Sequence, residues 1–320
     1  MIVKRSVYKL SISNPRHYRQ GIMRKVSIIS LFTVGFLSIL SVSAALSATR
    51  FDYDGDGKAD ISVYRPSNGT WYFSLSSLGF QIRQYGTATD KPAPADYDGD
   101  GKTDIGVFRP SNGTWYTIHS GANSFVTRSF GQNGDISVPA DYDGDGRADF
   151  AVVRPSNTVW YTTTLPIPEV TIAEFLNDKP LVGDFDGNGR ADFAFYNEFA
   201  GMWLIRGTLE TPFSYVQWGI PGDIPVPADY DGDRKTDIAV YRPSTGMWYF
   251  NNSTAGFSTQ RWGEPGDKPV AADYDGDGRD DIALYRPSNT NWYLINSTDG
   301  IRIQQFGISE DIPTPHSFIY

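Results

Sequence analysis

The chain has 320 residues, 40% of them hydrophobic and 14% aromatic, which is enough to build the core of one large domain or two ordinary ones. Its 28 basic and 37 acidic residues give a net charge of −9, and this acidic balance argues against a nucleic-acid partner, which requires clustered Lys and Arg. The absence of cysteine excludes disulfides, thiolate catalysis and cysteine-ligated metal centres.

Residues 1–48 have the pattern of an export leader. They contain seven basic residues and no acid, so the rest of the chain carries a net charge of −16. Arg24-Lys25 precede an uncharged stretch, residues 26–46, and a run of small residues follows at 41–48, which is the order of a secretory signal peptide. We therefore expect residues 49–320 to lie outside the cytoplasm, either secreted or at the cell surface.

Two details of the leader remain open. Met23 is a more typical start than Met1, and cleavage after Ala44 or Ala48 satisfies the small-residue rule. An uncleaved membrane anchor is the alternative, because about 20 apolar residues span a bilayer. No later segment approaches that length, so we expect no membrane contact beyond the leader.

A nine-residue acidic string occurs six times, at intervals of 43 to 45 residues, and organises the rest of the chain. The copies begin at Asp52, Asp96, Asp141, Asp184, Asp229 and Asp273. Each is followed by an alternating segment, a turn, a Trp-containing run and a further β-rich run, and a Pro-rich piece leads into the next string. Period-two alternation without helix-length amphipathic windows predicts an all-β fold, and four strands per unit of this length match a propeller blade.

We predict a six-bladed β-propeller of four-stranded blades. The repeat units are about 52–95, 96–140, 141–183, 184–228, 229–272 and 273–320. The tail from Asp311 repeats the segment that precedes each string, so the C-terminal strand is expected to complete the first blade and close the ring. The prolines of that segment suit an edge strand, which we place at the central channel. Small residues between large ones, such as Ser62 between Ile61 and Val63, predict interdigitated blade faces.

The acidic strings have the chemistry of calcium loops. Side-chain oxygens recur at positions 1, 3, 5 and 9, and a backbone carbonyl at position 7 completes the set that Ca²⁺ prefers. Gly at positions 4 and 6 permits the positive φ that wraps a backbone around an ion. Acidic turns without a metal are the alternative. The expected ligands are Asp52, Asp54, Asp56, Lys58, Asp60; Asp96, Asp98, Asp100, Lys102, Asp104; Asp141, Asp143, Asp145, Arg147, Asp149; Asp184, Asp186, Asn188, Arg190, Asp192; Asp229, Asp231, Asp233, Lys235, Asp237; and Asp273, Asp275, Asp277, Arg279, Asp281, with Lys and Arg contributing through their carbonyls.

Up to six calcium ions are therefore expected, one per blade. Two loops depart from the pattern: Asn188 replaces a carboxylate in the fourth, and Arg234 replaces a glycine in the fifth. We expect these two loops to bind calcium least tightly.

The Asp-x-Asp-x-Asp-Gly-x-x-Asp loops, about 44 residues apart over residues 50–320, resemble the FG-GAP/VCBS repeats of extracellular propellers such as integrin α-subunit heads and bacterial secreted proteins. The resemblance implies loops that connect the first and second strands of each blade. Members of that family serve in adhesion, in sugar binding or as domains of polysaccharide-degrading enzymes, so the resemblance supports a calcium-stabilised scaffold and does not name a ligand.

Other repeated residues admit two explanations each. Six Trp residues at one repeat position are predicted to pack in the core, with sugar platforms as the alternative; they are Trp71, Trp115, Trp160, Trp203, Trp248 and Trp292. The aromatic residues that precede Gly, such as Tyr85 and Trp218, are predicted to pack at blade edges. The Arg residues of the Arg-Pro-Ser turns are expected to pair with aspartates between blades, with an acidic ligand as the alternative.

Nothing in the sequence forms a catalytic constellation. His119 and His316 occur once each and are predicted to be ordinary surface residues, and no nucleophile elbow, zinc-protease motif or phosphate loop is present. We expect a non-catalytic binding or adhesion module for a glycan or a cell-surface protein. The alternative is a carbohydrate-active enzyme of the polysaccharide lyase type, or an accessory domain of one.

Overall fold

A computed structural model describes residues 50–164, 178–207 and 212–315, and the backbone of 169–171. The predicted leader, residues 1–48, and His316 lie outside the described residues. In chain order the first twelve strands are β1 (Ile61–Arg65), β2 (Thr70–Leu75), β3 (Gly79–Gln84), β4 (Lys91–Pro92), β5 (Ile105–Arg109), β6 (Thr114–His119), β7 (Ser124–Ser129), β8 (Ile136–Ser137), β9 (Ala151–Arg154), β10 (Val159–Thr162), β11 (Glu169–Thr171) and β12 (Lys179–Gly183). The other twelve are β13 (Asp192–Asn197), β14 (Met202–Arg206), β15 (Ser214–Gln217), β16 (Ile224–Pro225), β17 (Ile238–Arg242), β18 (Met247–Asn252), β19 (Gly256–Arg261), β20 (Lys268–Pro269), β21 (Ile282–Arg286), β22 (Asn291–Asn296), β23 (Gly300–Gln305) and β24 (Ile312–Pro313).

The strands form six antiparallel sheets of four, which are the blades of a β-propeller. The sheet orders are β24-β1-β2-β3, β4-β5-β6-β7, β8-β9-β10-β11, β12-β13-β14-β15, β16-β17-β18-β19 and β20-β21-β22-β23. The predicted all-β, six-bladed architecture is confirmed. Within the described part of the chain, no helix is long and apolar enough to cross a membrane.

The C-terminal strand closes the ring, as the sequence predicts. Strand β24 pairs antiparallel with β1, through Val63 opposite Pro313 and Tyr64 opposite Ile312. The Pro-rich strand is an edge strand in every sheet, because it pairs on one side only. Each sheet therefore begins one strand before the sequence unit does: β4, at the end of unit 52–95, belongs to the sheet of the next unit.

A closed ring of backbone hydrogen bonds also joins the acidic loops. The backbone N–H at position 8 of each loop donates to the position 1 carbonyl of the preceding loop, with N···O distances of 2.6 to 2.7 Å. The six pairs are Thr103 to Asp52, Ala148 to Asp96, Ala191 to Asp141, Thr236 to Asp184, Asp280 to Asp229 and Ala59 to Asp273. Because the last pair connects the sixth loop to the first, the hydrogen bonds form a complete ring.

The hydrophobic core consists of six clusters, each shared by two adjacent blades. One cluster combines Ile61 and Val63 of the first blade with Tyr285, Trp292 and Leu294 of the sixth. The small residue between the large ones of one blade packs against large residues of the next, since Ala283 of the sixth blade lies in the same cluster as Ile61 and Val63 of the first. The predicted interdigitation of blade faces is thus observed.

The repeated Trp residues lie in this core and are not sugar platforms. Trp71, Trp115, Trp160, Trp203, Trp248 and Trp292 are all 0% exposed. The Trp71 indole N–H, for example, donates to the Tyr85 carbonyl at 2.9 Å. This hydrogen bond joins β2 to the residue that follows β3. The aromatic residues before Gly, predicted to pack at blade edges, also contact the next blade: the Trp218 indole N–H donates to the carbonyl of Tyr249 at 3.2 Å.

The Arg residues of the turns do pair with aspartates, but the prediction that these pairs bridge blades is wrong. Arg109 binds Asp90 through two hydrogen bonds of 2.7 and 2.8 Å, and Asp90 immediately precedes β4 of the same sheet. Equivalent pairs are Arg65–Asp311, Arg154–Asp135, Arg242–Asp223 and Arg286–Asp267. Each guanidinium also lies 4.1 to 4.4 Å from the centroid of a Tyr ring. The pairing anchors the short edge strand to its own blade, because that strand has few ladder hydrogen bonds.

Candidate metal centres

The first carboxylate of each loop organises the loop backbone. Asp52 Oδ1 accepts a hydrogen bond from the Gly55 N–H at 2.6 Å, and its Oδ2 accepts one from the Gly57 N–H at 2.8 Å. Position 4 is a glycine with φ between 74 and 82° in all six loops, and the five glycines at position 6 have φ between 82 and 87°. Arg234, at position 6 of the fifth loop, has φ 70°. As predicted, the loop conformation requires the left-handed region there, which costs a non-glycine residue about 1 kcal/mol.

The last carboxylate of each loop is buried. Asp60, Asp104, Asp149, Asp192, Asp237 and Asp281 are 0 to 5% exposed. One oxygen accepts the position 2 N–H, as in Tyr53 to Asp60 at 2.8 Å. Burial, reinforced by the neighbouring loop aspartates, raises the pKa of Asp60, Asp104 and Asp237 to about 6 and that of Asp192 and Asp281 to about 7. A buried carboxylate of this kind needs a proton or a cation beside it.

The position 3 carboxylate has a buried oxygen without a hydrogen-bond partner in four loops, whereas in the third and fourth loops this oxygen accepts the position 5 N–H. In four loops one oxygen of this residue is buried and accepts no hydrogen bond from the described residues: Asp54 Oδ1, Asp98 Oδ1, Asp231 Oδ1 and Asp275 Oδ1. The second oxygen accepts a hydrogen bond from the turn between the third and fourth strands of the blade. For example, Asp275 Oδ2 accepts the N–H of Thr298, which lies between β22 and β23, at 2.8 Å. A buried carboxylate oxygen without a hydrogen-bond partner is free to coordinate a cation.

In the first four loops the structure brings three of the predicted side-chain ligands together. Ligating atoms of positions 1, 3 and 9 lie within 4.8 Å of one another in the first, third and fourth loops, and those of positions 1, 3 and 5 do so in the second. Position 5 is bound to the loop through one oxygen: Asp56 Oδ1 accepts the Lys58 N–H at 3.0 Å, and Asn188 Oδ1 accepts the Arg190 N–H at 2.8 Å. This oxygen-only donor set suits Ca²⁺. The ligand roles of these side chains and of the position 7 carbonyls stay predictions.

The side chain at position 7 of each loop contacts the preceding loop, which the sequence did not predict. Lys102 extends from the second loop over the first, where its Nζ donates to the Asp54 carbonyl at 2.9 Å. A Cβ on Gly55 would lie 2.5 Å from Lys102 Cε, so a larger residue at position 4 would displace the lysine side chain from this contact. The same arrangement recurs for Arg147 over Gly99, Arg190 over Gly144, Lys235 over Gly187, Arg279 over Gly232 and Lys58 over Gly276. The signal in the sequence is that position 7 is basic in all six copies.

His119 also belongs near a loop, which corrects the prediction of an ordinary surface histidine. It ends β6, is half-buried, and presents a ligating nitrogen within 4.8 Å of carboxylate oxygens of Asp98 and Asp104. In the sequence, this location is indicated only by the position of His119 in the repeat, four residues after the core Trp.

Six four-stranded blades with an acidic loop between the first two strands of each define a β-propeller of repeated sequence that carries candidate metal loops. A family model for the FG-GAP-like repeat matches residues 52–107, 96–152 and 229–284. The chain is an FG-GAP repeat β-propeller protein. The matched ranges contain five of the six loops, and the fourth, which carries Asn188, lies outside them.

Several solved structures are similar to the chain. A streptogramin B lyase structure has 10% identity over 82% of this chain and 87% of its own, with a TM-score of 0.51. A lectin of Agrocybe aegerita that recognises non-reducing terminal N-acetylglucosamine has 19% identity over 78% of this chain and 76% of its own, with a TM-score of 0.49. Virginiamycin B lyase of Staphylococcus aureus has 10% identity over 81% and 88%, with a TM-score of 0.49. These likenesses concern the fold alone. No curated protein sequence matches the chain.

Proposed function

We propose that this protein is an exported, calcium-stabilised β-propeller that acts as a non-catalytic binding module for glycans. One observation carries the calcium part. Four loops have a buried position 3 oxygen without a hydrogen-bond partner among the described residues, and each of these loops also contains a buried position 9 carboxylate. The four residues are Asp54, Asp98, Asp231 and Asp275. A divalent cation would satisfy those oxygens and neutralise the buried charge in one step.

Calcium suits the loops better than magnesium. Ca²⁺ accepts 6 to 8 oxygens in variable geometry, whereas Mg²⁺ keeps several waters in a strict octahedron. Four side-chain ligands from one short loop, together with a carbonyl and water, match the first requirement. We propose positions 1, 3, 5 and 9 and the position 7 carbonyl as ligands in every loop, for up to six ions.

The glycan part rests on a polar cavity between the first and sixth blades. Its volume is about 460 Å³, within the range of small-molecule sites. The lining residues are Asp56, Lys58, Ser76, Tyr274, Asn296, Asp299 and Arg302. Hydroxyl, amide and oppositely charged groups in one cavity suit a polyhydroxylated ligand, and Asn296 Oδ1 is a buried acceptor without a hydrogen-bond partner among the described residues.

Export is the third part of the proposal. The basic, apolar and small-residue order of residues 1–48 supports it, and sequencing the N-terminus of material recovered outside the cell would test it. A new terminus at Ala45 or Thr49 is expected, whereas an intact leader on membrane-bound material would indicate an anchor.

The binding function is tested on a glycan array with the full protein in calcium and in chelator. We expect calcium-dependent binding that is lost in an Asn296→Ala, Arg302→Ala variant, while an Asn252→Ala variant, changed at the equivalent position of the fifth blade, keeps it. Release of shortened or unsaturated sugar products would replace the proposal with the polysaccharide lyase alternative. Absence of glycan binding, with calcium bound and the fold intact, would favour a cell-surface protein as the partner.

A further inference from the structure

One strand position outside the loops faces the acidic loop of its own blade. It lies four residues after the core Trp, and its six occupants are Leu75, His119, Thr164, Gly207, Asn252 and Asn296. A Cβ on Gly207 would lie 2.3 Å from Asp186 Oδ2. The Thr164 side chain makes a hydrogen bond to Asp149, the position 9 carboxylate of its loop. Side chains at this position therefore point toward the carboxylates.

The second blade is distinct because His119 places a nitrogen there. His119 Nε2 is buried and makes no hydrogen bond to any described residue. A ligating nitrogen of His119 and carboxylate oxygens of Asp98 and Asp104 lie within 4.8 Å of one another, a separation that one ion can bridge with bonds of 2.0 to 2.4 Å. Asp98 Oδ1 is orphaned as well, so two of the three residues have a buried atom that lacks a partner.

The surroundings of His119 include a parallel aromatic ring and a carboxylate that is fixed by the backbone. The Tyr97 ring lies parallel to it, with an interplanar angle of 9° and centroids 6.3 Å apart. Asp104 is fixed by two backbone amides, those of Ser120 at 2.6 Å and Tyr97 at 2.9 Å. An ordinary structural histidine beside two carboxylates would donate a hydrogen bond from its buried nitrogen, whereas here that nitrogen is left available to a metal.

We propose that the second blade contains a mixed nitrogen–oxygen site for a first-row transition metal ion, with His119, Asp98 and Asp104 as ligands. Imidazole selects ions such as Zn²⁺, Ni²⁺ and Co²⁺, whereas the all-oxygen loops suit Ca²⁺. The proposal rests on the proposed function, because Asp98 and Asp104 are shared with the second calcium loop. The propeller would thus hold one site of different metal preference among six similar loops.

The chain itself supplies the matched variants. His119→Asn gives the second blade the residue that Asn252 provides in the fifth, and His119→Leu gives it the residue that Leu75 provides in the first. Both are made in the full chain with His17→Ala and His316→Ala, which removes the two other histidines. Zn²⁺ is titrated by calorimetry in excess Ca²⁺, and Co²⁺ by its visible absorption, which reports the geometry and ligand set of the ion and should change when His119 is replaced.

We expect one equivalent of Zn²⁺ to bind with His119 present, and both variants to weaken that binding by at least roughly tenfold, as loss of a ligand does. Calcium binding and thermal melting should change little, which shows that the variants fold. Equal zinc affinity in all three proteins, or calcium binding without zinc binding when His119 is present, would overturn the proposal and leave the calcium scaffold standing. If neither Zn²⁺ nor Ca²⁺ binds, both the zinc proposal and the calcium proposal are wrong.

Discussion

The N–H of Ala59 donates to the carbonyl of Asp273 across 2.6 Å, although 214 residues separate them in the chain. Asp273 is the first ligand position of the sixth loop, and Ala59 precedes the last ligand position of the first. The hydrogen bond therefore links two candidate metal centres directly, and five equivalent bonds link the others. An ion bound to the position 1 side chain of one loop would therefore also restrain the carbonyl of that residue, which accepts a hydrogen bond from the next loop.

Calcium is expected to stabilise the protein and to bind cooperatively. Each site occupied at about 100 times its dissociation constant adds about 2.7 kcal/mol to the free energy of unfolding. Because the ring of hydrogen bonds connects neighbouring loops, the binding isotherm should have a Hill coefficient above one. Calorimetric melting and a calcium titration test both statements, and a melting temperature that chelation leaves unchanged would contradict the first.

The metal-free protein should lose stability as the pH rises. Burial raises the pKa of Asp192 and Asp281 to about 7 and that of Asp60, Asp104 and Asp237 to about 6, whereas the unfolded chain has ordinary Asp values near 4. The folded state therefore holds more protons between these limits, and stability falls from about pH 4 to pH 7. In chelator we expect a lower melting temperature at pH 8 than at pH 5. Excess calcium should remove this decline, since the ion stabilises the ionised form; a flat profile in chelator would contradict the prediction.

Arg234→Gly should stabilise the fifth loop. Arg234 has φ 70°, where the five other loops have glycine, so the substitution removes backbone strain of about 1 kcal/mol. The matched control is Gly278→Arg in the sixth loop, where φ is 87° and a Cβ would meet nothing within 4 Å. It should destabilise by a similar amount for the same backbone reason. Denaturant melts in excess calcium measure both, and changes of the same sign would refute the argument.

Asn188→Asp should strengthen the fourth calcium site. Asn188 Oδ1 already occupies the place of the carboxylate oxygen in the other loops, since it accepts the Arg190 N–H at 2.8 Å. The substitution adds charge without a change of shape, and on the order of tenfold higher affinity is expected, because ligand charge tunes calcium affinity. Asp145→Asn in the third loop is the reverse control and should weaken its site. Luminescence of bound Tb³⁺ can follow both variants.

Removal of residues 311–320 should destabilise the whole ring. The truncation deletes β24 and the carboxylate of Asp311, and leaves Arg65 without its partner. Loss of one member of a largely buried ion pair costs about 3 to 5 kcal/mol, which corresponds to a fall in melting temperature of roughly 10 °C. A shorter deletion of 316–320, which retains β24, should melt like the full chain. Equal melting of the two truncated proteins would show that β24 does not close the ring.

The repeated sequence by itself determined the architecture. Six acidic strings 43 to 45 residues apart, each followed by the same alternating segments, define six equivalent sheets, and the tail from Asp311 supplies the strand that the first sheet lacks. The positions of Gly55 and Arg234 in the left-handed region also follow from the string alone, because loop conformation is local. The core role of Trp71 followed from its recurrence in every blade.

Contacts between blades and across a sheet were decided only by the tertiary structure. Lys102 reaches the carbonyl of Asp54, 48 residues earlier, because neighbouring blades stack closely enough for the side chain of one loop to cross the next. Arg109 pairs with Asp90 inside one sheet because the Pro-rich strand belongs to the following blade. His119 meets Asp98 and Asp104 because strand alternation directs its side chain to the loop. These distances depend on strand register and blade packing, which spacing along the chain does not specify.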